Sequence, residues 1–113
     1  MLIAEAAMDK KAENPVIINV SEQSDVADYF VICSANSDRG VKTIAENIED
    51  VLKNEEVQIL GIEGTQKMNW ILIDAANVVT HILYNPLREF YDLEGLYIDS
   101  PRIGLPVNVK ITE

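Results

Sequence analysis

The chain has 113 residues, 48% hydrophobic and 25% charged. That describes one globular domain whose core is too small to enclose a deep cofactor cavity as well. Nineteen acidic residues against nine basic ones give a formal net charge of −10. This charge repels phosphate backbones and argues against direct nucleic-acid binding, because Arg39, Lys42, Lys53, Lys67 and Arg88 are scattered along the sequence.

Residues 2–13, rich in Ala, Glu and Lys, predict a first helix that Asn14-Pro15 stops. Residues 16–20 (Val-Ile-Ile-Asn-Val) predict a strand, and residues 21–25 a polar turn. Residues 29–34 are nearly continuous in apolar side chains and predict a central strand. The second helix is the clearest element. Val41, Ile44, Ala45, Ile48, Val51 and Leu52 repeat at helical spacing, with Lys42, Glu46, Glu49, Asp50 and Lys53 opposite them. Ser37 or Asn36 suits its N-cap, and Asp38 suits its first turn.

Residues 58–63, 69–74 and 78–84 predict three more strands, the last two joined as an antiparallel hairpin by Ala75-Ala76-Asn77. Asn85-Pro86 predicts the start of a third helix over residues 87–97, with Asn85 as N-cap. Residues 1–99 thus read as one domain and 100–113 as a mostly irregular tail. The alternation of Val107, Val109 and Ile111 in that tail is compatible with an added edge strand. The expected fold class is α+β, with a mixed five-stranded sheet flanked by helices.

Few residues carry chemistry. The single cysteine, Cys33, lies in an apolar run, which suits a buried small hydrophobe. The only histidine, His81, falls on a different strand among Val79, Thr80, Ile82 and Leu83 and reads as hydrogen-bonded and structural. As an anion site the turn over residues 34–39 would offer backbone N–H groups, the Ser37 hydroxyl and Arg39, but it has no Gly-x-Gly-x-x-Gly or Gly-Lys-Ser/Thr. Metal-dependent nucleotidyl transfer needs converging carboxylates, and the chain has no Asp-x-Asp. No metal or cofactor is expected. No signal-peptide pattern and no apolar run near the roughly 20 residues of a membrane span is present. The expected location is the cytoplasm, or an organelle if a presequence is absent from this chain.

A set of large amphipathic side chains remains: Trp70, Tyr84, Arg88, Phe90, Tyr91 and Tyr97. Aromatics with arginine supply interface energy, although Trp70, Phe90 and Tyr91 equally suit a core. Trp70 and Asp74 are four apart on one strand, so they share a face. Burying Trp70 wholly would draw a carboxylate inward, so that face is expected to be exposed.

The motifs Lys11-Ala12-Glu13, Ala27-Asp28-Tyr29-Phe30-Val31-Ile32-Cys33, Asn36-Ser37 with Arg39, and Ile44-Ala45 with Ile48 occur in order. Trp70-Ile71-Leu72-Ile73-Asp74, Val78-Val79-Thr80-His81 and Arg88-Glu89-Phe90-Tyr91-Asp92-Leu93-Glu94 follow. Together they resemble the ribosome silencing factors of the Iojap type over most of the chain. The resemblance implies a nucleotidyltransferase-like fold without catalytic carboxylates, and no enzyme activity. It implies a homodimer when free and a translational repressor on the large ribosomal subunit. There it would bind a basic ribosomal protein, number fourteen, at the intersubunit face and sterically block subunit joining. It also implies a partner-binding set of Trp70, Asp74, Asn77, His81 and Tyr91. Asn77 stands where the family usually has a carboxylate, Tyr97 where it often has tryptophan, and Gly40 where a longer polar residue is common.

Two other readings stay open. One is a small nucleotide-binding or nucleotidyltransferase-like enzyme using the turn at residues 34–39. The other is a dimeric interaction module of unrelated purpose.

Overall fold

The computed structural model describes residues 1–104. Helix α1 (Leu2–Asp9) buries Ile3, Ala4, Ala6 and Ala7. It is shorter than residues 2–13. The Lys11 and Ala12 N–H groups turn back to the Met8 and Ala7 carbonyls at 2.9 and 3.1 Å, with Lys11 at φ 61°. That is a Schellman cap built on lysine in place of glycine. Asn14-Pro15 therefore does not stop the helix. It lies inside β1 (Glu13–Asn19), at an irregularity between Glu13 and Val16 where Asn14 has φ 48°, the kind of position at which a strand tolerates proline.

β2 (Tyr29–Ala35) is central, antiparallel to β1 on one side and parallel to β5 (Val78–Tyr84) on the other. Between them in sequence runs α2 (Asp38–Asn54), its N-terminus closed by Ser37 Oγ accepting from the Gly40 N–H. A Cβ at Gly40 would stand 3.0 Å from the Ala35 Cβ, so glycine lets the start of α2 pack closely on the end of β2. β3 (Ile59–Glu63), β4 (Trp70–Ala75) and β5 form an antiparallel meander.

The sheet has six strands in the order β3-β4-β5-β2-β1-β6, where five were expected. The sixth, β6 (Arg102–Ile103), pairs with Ile17 and Ile18 of β1. Two residues are too few to show alternation, so no periodicity announces it. Val107, Val109 and Ile111 lie outside the described residues.

The third helix is also divided. α3 (Asn85–Tyr91) and α4 (Leu93–Leu96) are separated by Asp92 at φ 43°. A short acidic side chain tolerates that left-handed conformation, and Asp92 caps α4 by accepting from the Gly95 N–H. Asn85 is not the N-cap. Tyr84 holds that position, and the Asn85 amide instead donates to Glu13 Oε2 at 3.3 Å.

One sheet face packs under α1 and α2, around Ile17, Val31, Ile48, Ile73 and Ile82. The opposite face carries a smaller cluster, Ile18, Val20, Ile32, Val79 and Leu83, partly covered by Leu87, Leu93 and Tyr97. Among the described residues no helix is long and apolar enough to cross a membrane.

Candidate functional site

Strand alternation builds the site. On β4, Ile71, Ile73 and Ala75 are buried, while Trp70, Leu72 and Asp74 point the other way and are partly exposed. Gly64, at φ 86°, lies against the Trp70 carbonyl, where a Cβ would collide. Glycine there lets the preceding turn approach the start of β4. The two-residue hairpin turn at Ala76 and Asn77 sets the register, so His81 stands opposite Leu72 and Val79 opposite Asp74. Helix α3 lies against β5 and β2, leaving the β4 side of this face half open.

Across that face runs a chain of rings. Phe90 meets Tyr91 edge to face at 5.1 Å, Tyr91 meets Trp70 at 4.9 Å, and Trp70 meets His81 at 6.1 Å. His81 meets Phe30 at 5.4 Å, and Phe30 meets Tyr97 at 5.1 Å. The Trp70 indole N–H donates to His81 Nδ1 at 3.2 Å. His81 Nδ1 is therefore unprotonated, and the neutral ring carries its proton on Nε2. Burial pushes the His81 pKa down from 6.5 to about 4.

Of the five expected contact residues, three are brought together: Trp70 touches both His81 and Tyr91. Trp70 is only partly exposed, because its ring rests on the second cluster and on Tyr91. Asp74 shares the face but lies four residues along the strand, about 13 Å away. Asn77 sits in the hairpin turn, where its amide donates to Asp28 Oδ2 at 3.3 Å and its carbonyl accepts from the Asp28 and Tyr29 N–H groups. His81 is 8% exposed and engaged with Trp70, so it positions the indole from beneath. Phe90 is 79% exposed, which removes it from the core. Leu72, between Trp70 and Asp74, joins the face. Its period-two position was the signal for it.

The turn at residues 34–39 is differently arranged from an anion cradle. Ser34 is buried and faces α3, accepting from Arg88 Nη1 at 3.1 Å. The Ser37 oxygen is taken by the Gly40 N–H, and Arg39 is exposed. Cys33 is fully buried, and burial pushes its thiol up to about 12, which leaves it protonated and unreactive at neutral pH. Among the described residues no group of three or more His, Cys, Asp or Glu side chains is placed to hold a metal ion.

These features define a small α+β protein with one closed sheet face and one half-open aromatic face. The whole chain, residues 1–113, matches the family model described as "Ribosomal silencing factor during starvation". The ribosomal silencing factor of Halalkalibacterium halodurans is 38% identical over 104 residues, 92% of this chain and 89% of that one. That of Bacillus subtilis is also 38% identical, over 92% of this chain and 88% of its own. A crystal structure of a protein from Chromobacterium violaceum superposes with a TM-score of 0.84 at 29% identity, covering 95% of this chain and 88% of that one. The chain belongs to the ribosomal silencing factor family.

Proposed function

We propose that this protein is a translational repressor that binds the isolated large ribosomal subunit and sterically prevents subunit joining. Its contact on that subunit is the basic ribosomal protein number fourteen, at the intersubunit face, and the free protein is a homodimer. The observation that carries this reading is the half-open face of Trp70, Tyr91 and Phe90 with Asp74 on the same side. Packed aromatics that are exposed at Phe90 and Tyr91 and partly exposed at Trp70, with a carboxylate on the same face, are what a basic protein surface engages. Trp70, Tyr91 and Phe90 supply contact area, Asp74 meets a lysine or arginine, and His81 holds the indole in place. Asn77 acts through Asp28. The net charge of −10 speeds encounter with a basic protein and disfavours registers that face RNA. The reading includes a nucleotidyltransferase-like ancestry without catalytic carboxylates, and a cytoplasmic site of action.

Sedimentation with separated subunits tests it. Excess protein should travel with the large subunit and shrink the whole-ribosome peak. Phe90→Ala and Trp70→Ala should weaken this association by about 2 kcal/mol each, roughly 30-fold. Phe90→Ala should leave urea unfolding nearly unchanged, because the ring is mostly in solvent. Migration with the small subunit alone, and an undiminished whole-ribosome peak, would overturn the proposal.

A further inference from the structure

The hairpin end of the sheet carries a second feature, outside the aromatic face. β3 is an edge strand with a bulge: Ile59 pairs with Ala75 and Gly61 with Asp74, so Leu60 is the extra residue. Bulges at sheet edges re-aim a side chain, and Leu60 is left 60% exposed. Val26, in the loop between β1 and β2, is 78% exposed. Its backbone is nonetheless fixed. Ser24 Oγ accepts from the Val26 and Ala27 N–H groups at 3.2 and 3.3 Å. Ala27 is buried, and the next N–H, of Asp28, donates to the Asn77 carbonyl at 2.9 Å. Val26 and Leu60 line a hollow of about 330 Å³ that Asp25 and Asp28 also line.

Among the described residues no lysine or arginine forms an ion pair with Asp25 or Asp28; the ion pairs join Lys53 to Glu49, and Arg88 and Arg102 to Glu94. Asp28 accepts only a neutral amide bond, from Asn77, among its side-chain contacts. Two carboxylates beside two preset aliphatic side chains complement one kind of group: a long aliphatic stem ending in a positive charge.

We propose that this hollow is a docking socket for an arginine or lysine side chain of a basic partner protein. The stem packs on Val26 and Leu60, and the charged head meets Asp25 and Asp28. The proposal deepens the reading above by assigning the partner's basic residue a place at the hairpin end, and it rests on that reading for the partner's identity. The socket itself is independent of it. Because loop and bulge are already held, little ordering accompanies binding.

Two measurements on the full chain separate the outcomes. In amide NMR, acetyl-Gly-Arg-Gly-amide should shift residues 25–28, 58–60 and 76–77. Acetyl-Gly-Glu-Gly-amide should not, and the response should largely vanish in an Asp25→Asn, Leu60→Ser variant. Equal shifts with both peptides, or shifts elsewhere, would overturn the socket. The same variant, with an unchanged circular dichroism spectrum, should bind large subunits about tenfold more weakly and with a shallower salt dependence. If Phe90→Ala weakens that binding and the socket variant does not, the socket fails and the aromatic face stands. If the wild type binds no subunit yet shows the arginine-specific shifts, the ribosomal reading fails and the socket stands. A variant that alters only self-association in sedimentation velocity assigns the hollow to a second copy and overturns the proposal.

Discussion

Replacing Arg88 by alanine is expected to destabilise the protein by about 3 kcal/mol, among the largest single losses on its surface-facing elements. The side chain is 12% exposed, and its guanidinium donates from Nε to Glu94 Oε1 at 2.8 Å. From Nη1 it donates to the Glu13 carbonyl and to Ser34 Oγ, both at 3.1 Å. One side chain thereby ties α3 to β1, β2 and α4. α3 has no fully buried residue of its own, so polar ties carry more of its attachment than burial does. Truncation leaves the half-buried Glu94 carboxylate with only Arg102, at 3.8 Å, and leaves the Glu13 carbonyl short of a donor. Arg88→Lys keeps the charge but loses the forked geometry, and should recover less than half of the loss. Urea unfolding of the three proteins checks the order. Because α3 also carries Phe90 and Tyr91, Arg88→Ala should weaken large-subunit binding even while folded. Unchanged stability in Arg88→Ala would mean that α3 is held by Leu87 and Leu93 alone.

The parts of this fold that were readable in the sequence are those governed by a short period. The amphipathic stripe of α2 and its Ser37 cap appear as expected. The period of two on β4 places Trp70 with Asp74, and a two-residue hairpin turn then allows the register to be counted across to His81. What escaped depends on backbone geometry without a residue signature, or on distant contacts. Lys11 and Glu56 adopt the left-handed conformation that ends α1 and α2, a position glycine would have announced. Asp92 breaks a continuous helical pattern for the same reason. The bulge that exposes Leu60, and the two-residue pairing of β6, follow from neighbouring strands and leave no pattern of their own. Arg88 and Glu13 stand 75 positions apart, and only motif resemblance, which includes both, hints at their connection. Phe90 and Tyr91 are adjacent aromatics on a short helix whose periodicity spans too few turns to say which one faces out.

Acidification should remove the stability that rests on a neutral His81 in a defined window. Burial lowers its pKa from 6.5 to about 4 in the folded protein, while the unfolded chain keeps the ordinary value. Above pH 6.5 both states hold a neutral ring, and this group's contribution to stability is fully present. Between pH 6.5 and about 4 the unfolded chain takes up a proton that the folded one resists, so stability falls as pH falls. Below about 4 both states are protonated and no further loss comes from this residue. A difference of this size corresponds to roughly 3 kcal/mol across the window. Carboxylates titrate nearby, so the quantity to measure is the difference between wild type and His81→Gln in urea unfolding from pH 7 to pH 4. The wild type should lose more, by about that amount. With one histidine in the chain, the imidazole proton resonances report it directly and should titrate near 4. A protonated Nδ1 presents a hydrogen where the Trp70 N–H already points, so the indole loses its acceptor in the same step. Trp70 is the only tryptophan, and its fluorescence should change with the same midpoint. A midpoint near 6.5 would show that His81 is open to solvent, and that Trp70 is positioned by Tyr91 alone.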